Sequence, residues 1–216
     1  MQDFFYIALN KALLMKQLIT LFLCLFSVIS NAQNYETQWK DVYQSELNKH
    51  YKTANNQVEK IYHKAVSENN SREIIKTFFY RNKLKGYIEI TDSNDVFKDI
   101  DKEIKRLNQP YKSILQTYKA QLLTEYFFKK EYLVIELDKV KEPYSKNNIE
   151  NWRTIDFVNE IDNLYNEVFK NEELLKKSNE FLGELVQKEE LAEIKNYKPY
   201  ELLCFEWISI FEKKAL

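Results

Sequence analysis

Glycine, proline, cysteine and histidine are all scarce in this chain of 216 residues, at 2 Gly, 3 Pro, 2 Cys and 2 His. Two glycines cannot build a phosphate-cradling loop, a dinucleotide-binding fingerprint, or the many tight turns of a β-sandwich. All-β and nucleotide-binding α/β folds are disfavoured on that ground. Charge of one sign is lacking as well: 32 Lys+Arg stand against 33 Asp+Glu, a formal net charge of -1. No net field therefore draws the chain to nucleic acid or to an anionic membrane face. What is plentiful is aromatic and charged side chains, with 15 Tyr, 14 Phe and 30% charged residues beside 44% hydrophobic ones. Such a composition fits one folded helical domain, neither disordered nor spanning a membrane many times.

The one long apolar run lies near the beginning. Lys16 precedes Leu18 to Val28, which is short for a bilayer span, and Ile29-Ser30-Asn31-Ala32 follows. This order reads as a secretory signal, with Ser30 and Ala32 as the small residues of the cleavage site and Gln33 as the new terminus. Met15 is the expected start, because the signal is complete from there. The rival reading is an uncleaved N-terminal anchor, which the apolar residues upstream of Lys11 favour. Cys24 does not mark a lipoprotein, since Leu23 stands where a small residue is required and the cysteine lies inside the apolar run. The protein is expected to be exported to the periplasm, cell envelope or medium. Cys204 is the only cysteine beyond the signal, which excludes an intramolecular disulfide in the mature chain.

From residue 33 to 216 a single helical domain is expected. Tyr35, Trp39, Val42, Tyr43 and Leu47 fall on one helical stripe, and Ala54, Val58, Ile61, Tyr62 and Ala65 repeat the spacing. Ser71 offers a capping hydroxyl to the helix carrying Ile74, Ile75, Phe78, Phe79 and Tyr87. Thr91 to Asp95 is rich in capping side chains and precedes Val96, Phe97, Ile100, Ile104 and Leu107. Pro110 breaks the backbone before Ile114, Leu115, Tyr118, Leu122, Tyr126 and Phe127. Tyr132 to Ile135 suits an extension of that helix, favoured here, or a short strand, and Lys139 to Asn151, without periodicity and with Pro143, is a loop. Three further stripes run through Ile155, Val158, Ile161, Tyr165 and Phe169, through Leu174, Leu175, Phe181, Leu182 and Leu185, and through Leu202, Leu203, Phe205, Ile208 and Phe211. Pro199 suits the first turn of the last helix. The fold class is thus all-α, about eight helices in antiparallel hairpins, either a tetratricopeptide-like repeat or an irregular bundle.

No catalytic residue, cofactor or metal ligand stands out. His63 lies four residues after Glu59, so both could face one ion, but one pair is too few ligands and His50 is the only other histidine. Carboxylates alternate with lysines, as in Asp99-Ile100-Asp101-Lys102-Glu103, the pattern of a solvated helix face. Cys204-Phe205-Glu206-Trp207 invites comparison with the Cys-x-Glu-Gln motif of internal thioesters, but Trp207 cannot supply the glutamine carbonyl. A buried Cys204 would behave as a small hydrophobe. The aromatics occupy stripe positions and have no basic groove beside them, so core packing explains them better than stacking on single-stranded nucleic acid. No Gly-x-Ser-x-Gly elbow is present for Ser-His-Asp catalysis.

The order of segments resembles the amino-terminal helical region of bacterial alpha-2-macroglobulin-like proteins. The resemblance rests on the signal ending Asn31-Ala32-Gln33, on Tyr35-Glu36-Thr37-Gln38-Trp39-Lys40-Asp41-Val42, and on Val58-Glu59-Lys60-Ile61-Tyr62-His63-Lys64-Ala65 with Glu68-Asn69-Asn70. Ser113-Ile114-Leu115, Trp152-Arg153-Thr154-Ile155-Asp156 and Pro199-Tyr200-Glu201-Leu202-Leu203 continue it over most of 33–216. The family implies a large exported protease trap in which cleavage of a bait segment triggers collapse. The chain lacks the bait, the macroglobulin sandwiches and the thioester motif, so the resemblance implies a truncated or split helical part that inhibits no protease covalently. Its expected partners are the downstream macroglobulin-like domains or another protein, with no nucleic acid and no small-molecule substrate. The alternative is a free-standing tetratricopeptide-like module that holds a peptide or protein between hairpins.

Overall fold

Where glycine is nearly absent, other residues must take the left-handed backbone that ends a helix. In the computed structural model, which describes residues 35–88, 93–178 and 197–214, Lys49 and Asn69 do so, with φ of 60° and 53°. At each site two backbone hydrogen bonds close the end: His50 N to Ser45 O with Lys49 N to Glu46 O, and Asn70 N to Ala65 O with Asn69 N to Val66 O. This is the Schellman arrangement. Helix α1 (35–47) therefore stops and α2 (Tyr51–Ser67) begins, and after Asn69 comes α3 (Ser71–Ile88).

Then follow α4 (Ser93–Arg106), α5 (Tyr111–Asp138), a 3-10 turn (Ile149–Asn151), α6 (Thr154–Phe169), α7 (Glu172–Lys177) and α8 (Pro199–Lys214). Among the described residues there are eight α-helices and no strand, so the all-α fold is established. The stripe residues Phe181, Leu182 and Leu185, the signal, and the cleavage residues Ala32 and Gln33 lie outside the described residues.

The chain divides into two units, 1–61 and 62–216, the cut passing through α2. In the first, Tyr35, Trp39, Val42, Ala54, Val58 and Ile61 are buried, and Trp39 stacks on Tyr43 with ring centroids 5.9 Å apart. Leu47 is exposed despite its stripe position.

In the second unit, α5 is the centre. It packs against α3, α4, α6 and α8, so its first half is buried nearly all round rather than along one stripe. The α4–α5 and α5–α6 pairs are antiparallel: Phe97 meets Tyr126 while Asp101 meets Lys119, and Lys119 meets Glu160 while Tyr126 and Phe127 meet Phe157. Contact of α5 with α8, as well as with α4 and α6, ties the last described helix to the centre of this unit, and the all-α fold is a bundle or a repeat.

Three local expectations are corrected. Asn70, not Ser71, caps α3, its Oδ1 accepting from Glu73 N at 3.2 Å, while Ser71 Oγ accepts from Asn108 N at 3.3 Å. In α6 the buried apolar residues are Phe157, Ile161, Leu164 and Val168, and Ile155 is exposed. In α8 they are Leu203, Trp207 and Ile210, with Phe205 and Ile208 exposed. Both helices are apolar on more than one face, and the neighbours decide which face is covered.

Aromatic rings fill the core of this unit. Phe157 is met by Tyr126 in a stack at 6.0 Å and by Phe127 and Trp152 edge-on at 5.5 and 5.2 Å. Tyr165 meets both Trp207 and Phe211 edge-on. Such pairs add about 1 kcal/mol each to the area they bury. These rings lie in the core as expected, whereas Tyr43, Tyr87, Phe128, Tyr132, Tyr197 and Phe205 are exposed.

Candidate functional site

Four polar clusters lie among the described residues, and each starts from a charged or hydroxylated side chain at a position that the helix period turns inward. Tyr62 and Glu103 form the first. Glu103 lies three residues after Ile100 on the buried face of α4, and four before the buried Leu107 that follows the helix. Tyr62 OH donates to Glu103 Oε1 at 2.6 Å, Arg106 donates to the same hydroxyl, and Arg106 Nη1 lies 3.3 Å from Glu103 Oε2. Arg81 sits 4.1 Å from the Tyr62 ring centroid. Burial, then the hydrogen bond and charge of Glu103, push the Tyr62 hydroxyl above its ordinary pKa, against the two arginines.

Lys119 is the second. It falls between Leu115 and Leu123 at four-residue steps, all three buried on α5. Its ammonium is 2.7 Å from Asp101 Oδ1 on α4 and 2.6 Å from Glu160 Oε1 on α6. Burial alone would depress this lysine. The two charged hydrogen bonds outweigh it and hold the pKa above the ordinary value.

The third closes the loop after α5. Asp156 receives Arg153 N at 3.1 Å, the hydroxyl of Tyr144, and Lys146 Nζ at 2.5 Å. Arg153 lies over the Tyr144 ring at 4.0 Å, and Trp152 Nε1 donates to Lys146 O at 2.8 Å. Thr154 N and Oγ1 both donate to Asp138 at 3.0 and 2.6 Å, so the end of α5 caps the start of α6. Burial would raise the Asp156 pKa, but the bonds from Lys146, Tyr144 and Arg153 win and lower it.

Tyr200, Glu172, Lys176 and Cys204 make the fourth. Tyr200 OH donates to Glu172 Oε1 at 3.1 Å, and Lys176 Nζ is 4.8 Å from the ring centroid. Hydrogen bonding to Cys204 first, and to Glu172 second, pushes the tyrosine up to about 12. Cys204 is half-buried rather than enclosed.

Chemically, all four clusters tie helix to helix or loop to helix. Tyr62, Lys119, Asp156 and Tyr200 have their polar atoms turned to protein partners, which is the arrangement of a brace. Glu103, which the sequence pattern places on a solvated helix face, is buried instead, because it falls on the same side of α4 as Ile100; Lys119 and Asp156 are not singled out by the sequence, although Lys119 interrupts an apolar stripe and Asp156 caps one. His50 and His63 are exposed, and no group of three His, Cys, Asp or Glu among the described residues could hold a metal ion.

Two surface depressions are wide open. One of about 580 Å³ is lined by Gln109, Pro110, Glu173, Leu174, Lys177 and Ser178. The other, of about 670 Å³, lies along α4 over Lys98, Asp101, Lys102, Lys105 and Arg106. The second is a helix face of mixed charge, since Lys98 lies 3.6 Å from Asp95 and Asp101 is bound by Lys119. Apolar surface is exposed elsewhere, at Phe128, Tyr132, Leu133 and Ile135 on α5, at Phe205 and Ile208 on α8, and at Tyr197 just before it. None of the described helices is long and apolar enough to cross a membrane.

Comparison with protein-family models, with curated proteins and with solved structures finds no match to this chain.

Proposed function

We propose that this chain is a non-enzymatic, exported helical domain that serves as a scaffold or docking part of an alpha-2-macroglobulin-like protease trap. The observation that carries the non-enzymatic reading is the state of its buried ionisable groups: Glu103, Lys119 and Asp156 are each bound by partners from other parts of the fold. A catalytic acid or base needs its reacting atom turned toward a cleft. Rigid bracing of this kind suits a domain that presents surfaces. The link to the protease-trap family rests on the order of segments from Tyr35 to Phe211.

The alternative is a free-standing tetratricopeptide-like module for a protein or peptide, favoured by the exposed apolar residues of α5 and α8. The two separate on the neighbouring DNA. Continuation of the coding sequence, in any frame, into macroglobulin-like sequence with Cys-x-Glu-Gln supports the first, whereas an unrelated gene there supports the second. Export is tested by the terminus of the cellular protein, which should be Gln33 or its cyclised form. An intact Met1 or Met15 overturns cleavage.

A further inference from the structure

We draw no further inference here: the strongest candidate, the exposed apolar face at Phe128, Tyr132 and Ile135 on the second half of α5, has Lys129 and Glu136 on one flank but Glu131 and Asp138 on the other, so charge selects no occupant, and nothing in the structure shows what covers it.

Discussion

Trp207 Nε1 on α8 donates to Thr117 Oγ1 on α5 at 3.0 Å, joining residues ninety positions apart in a fully buried setting. Thr117 Oγ1 in turn donates to Ser113 O at 3.0 Å, so one hydroxyl satisfies both the indole and a helix carbonyl. Replacing Thr117 by Val keeps the volume and removes the acceptor, which leaves the indole N–H buried without a partner. The expected cost is about 1–2 kcal/mol in urea unfolding. Thr117→Ser, which keeps the oxygen and loses a methyl group, should cost about 1 kcal/mol at most. Equal losses in the two variants would show that packing and not the hydrogen bond matters there.

The helices themselves were legible in the sequence, because apolar residues return at three and four positions in almost every segment. Where a helix has one apolar face, as α2 does, every stripe residue from Ala54 to Ala65 is buried. Where it has several, periodicity cannot choose among them. Leu202, Leu203, Phe205, Trp207, Ile208, Ile210 and Phe211 surround α8 almost completely, and only the presence of α5 and of the Tyr165 ring selects Leu203, Trp207 and Ile210. The braces were half legible. Lys119 between Leu115 and Leu123 announces a buried cation, but nothing in the local spacing names Asp101 and Glu160, 18 and 41 residues away.

Lys119 bridges α4 and α6 through α5, and its loss leaves two carboxylates facing each other without a cation. Lys119→Met, which keeps the apolar stem, should destabilise the fold by about 2 kcal/mol, less than for a fully enclosed pair because Asp101 and Glu160 stay partly in water. The pH dependence has a definite sign. A lysine whose folded pKa lies above the ordinary 10.5 contributes in full below that value, and the contribution disappears as pH rises through the folded pKa. Parent and variant should therefore converge in stability above pH 10.5. A constant gap across alkaline pH would exclude the ionic role.

Scarcity of glycine has left strain that substitution can remove. Lys49 holds φ at 60°, where a side chain costs about 1 kcal/mol and glycine costs nothing. Lys49→Gly should raise stability by about 0.5–1 kcal/mol. Gly86 presents the opposite case, being helical and exposed with nothing within 4 Å of an added Cβ, so Gly86→Ala should gain about as much. Asn69 tolerates its φ of 53° better than lysine, and Asn69→Gly should gain less. Urea midpoints of the three variants decide the matter, and a loss in Lys49→Gly would refute strain at that position.

The Asp156 cluster sets how firmly the segment from Lys139 to Arg153 is held. A carboxylate whose folded pKa is depressed below 3.8 stabilises in full above that value, and its contribution vanishes as pH falls through the folded pKa. Asp156→Asn keeps an acceptor for Arg153 N but loses the charge that attracts Lys146. Because Lys146 is 67% exposed, water screens much of that attraction, and the expected global cost is small. The local effect should be larger, since Tyr144, Lys146 and the Arg153 backbone all converge on this one side chain while Trp152 is tied to Lys146. Limited proteolysis at pH 7 should cut Asp156→Asn faster than the parent between Lys139 and Lys146, and the parent should approach the variant's rate of amide exchange in that segment only well below pH 3.8. Identical cleavage of the two proteins would show that Pro143 and the Asp138 cap of α6 hold the loop without the carboxylate.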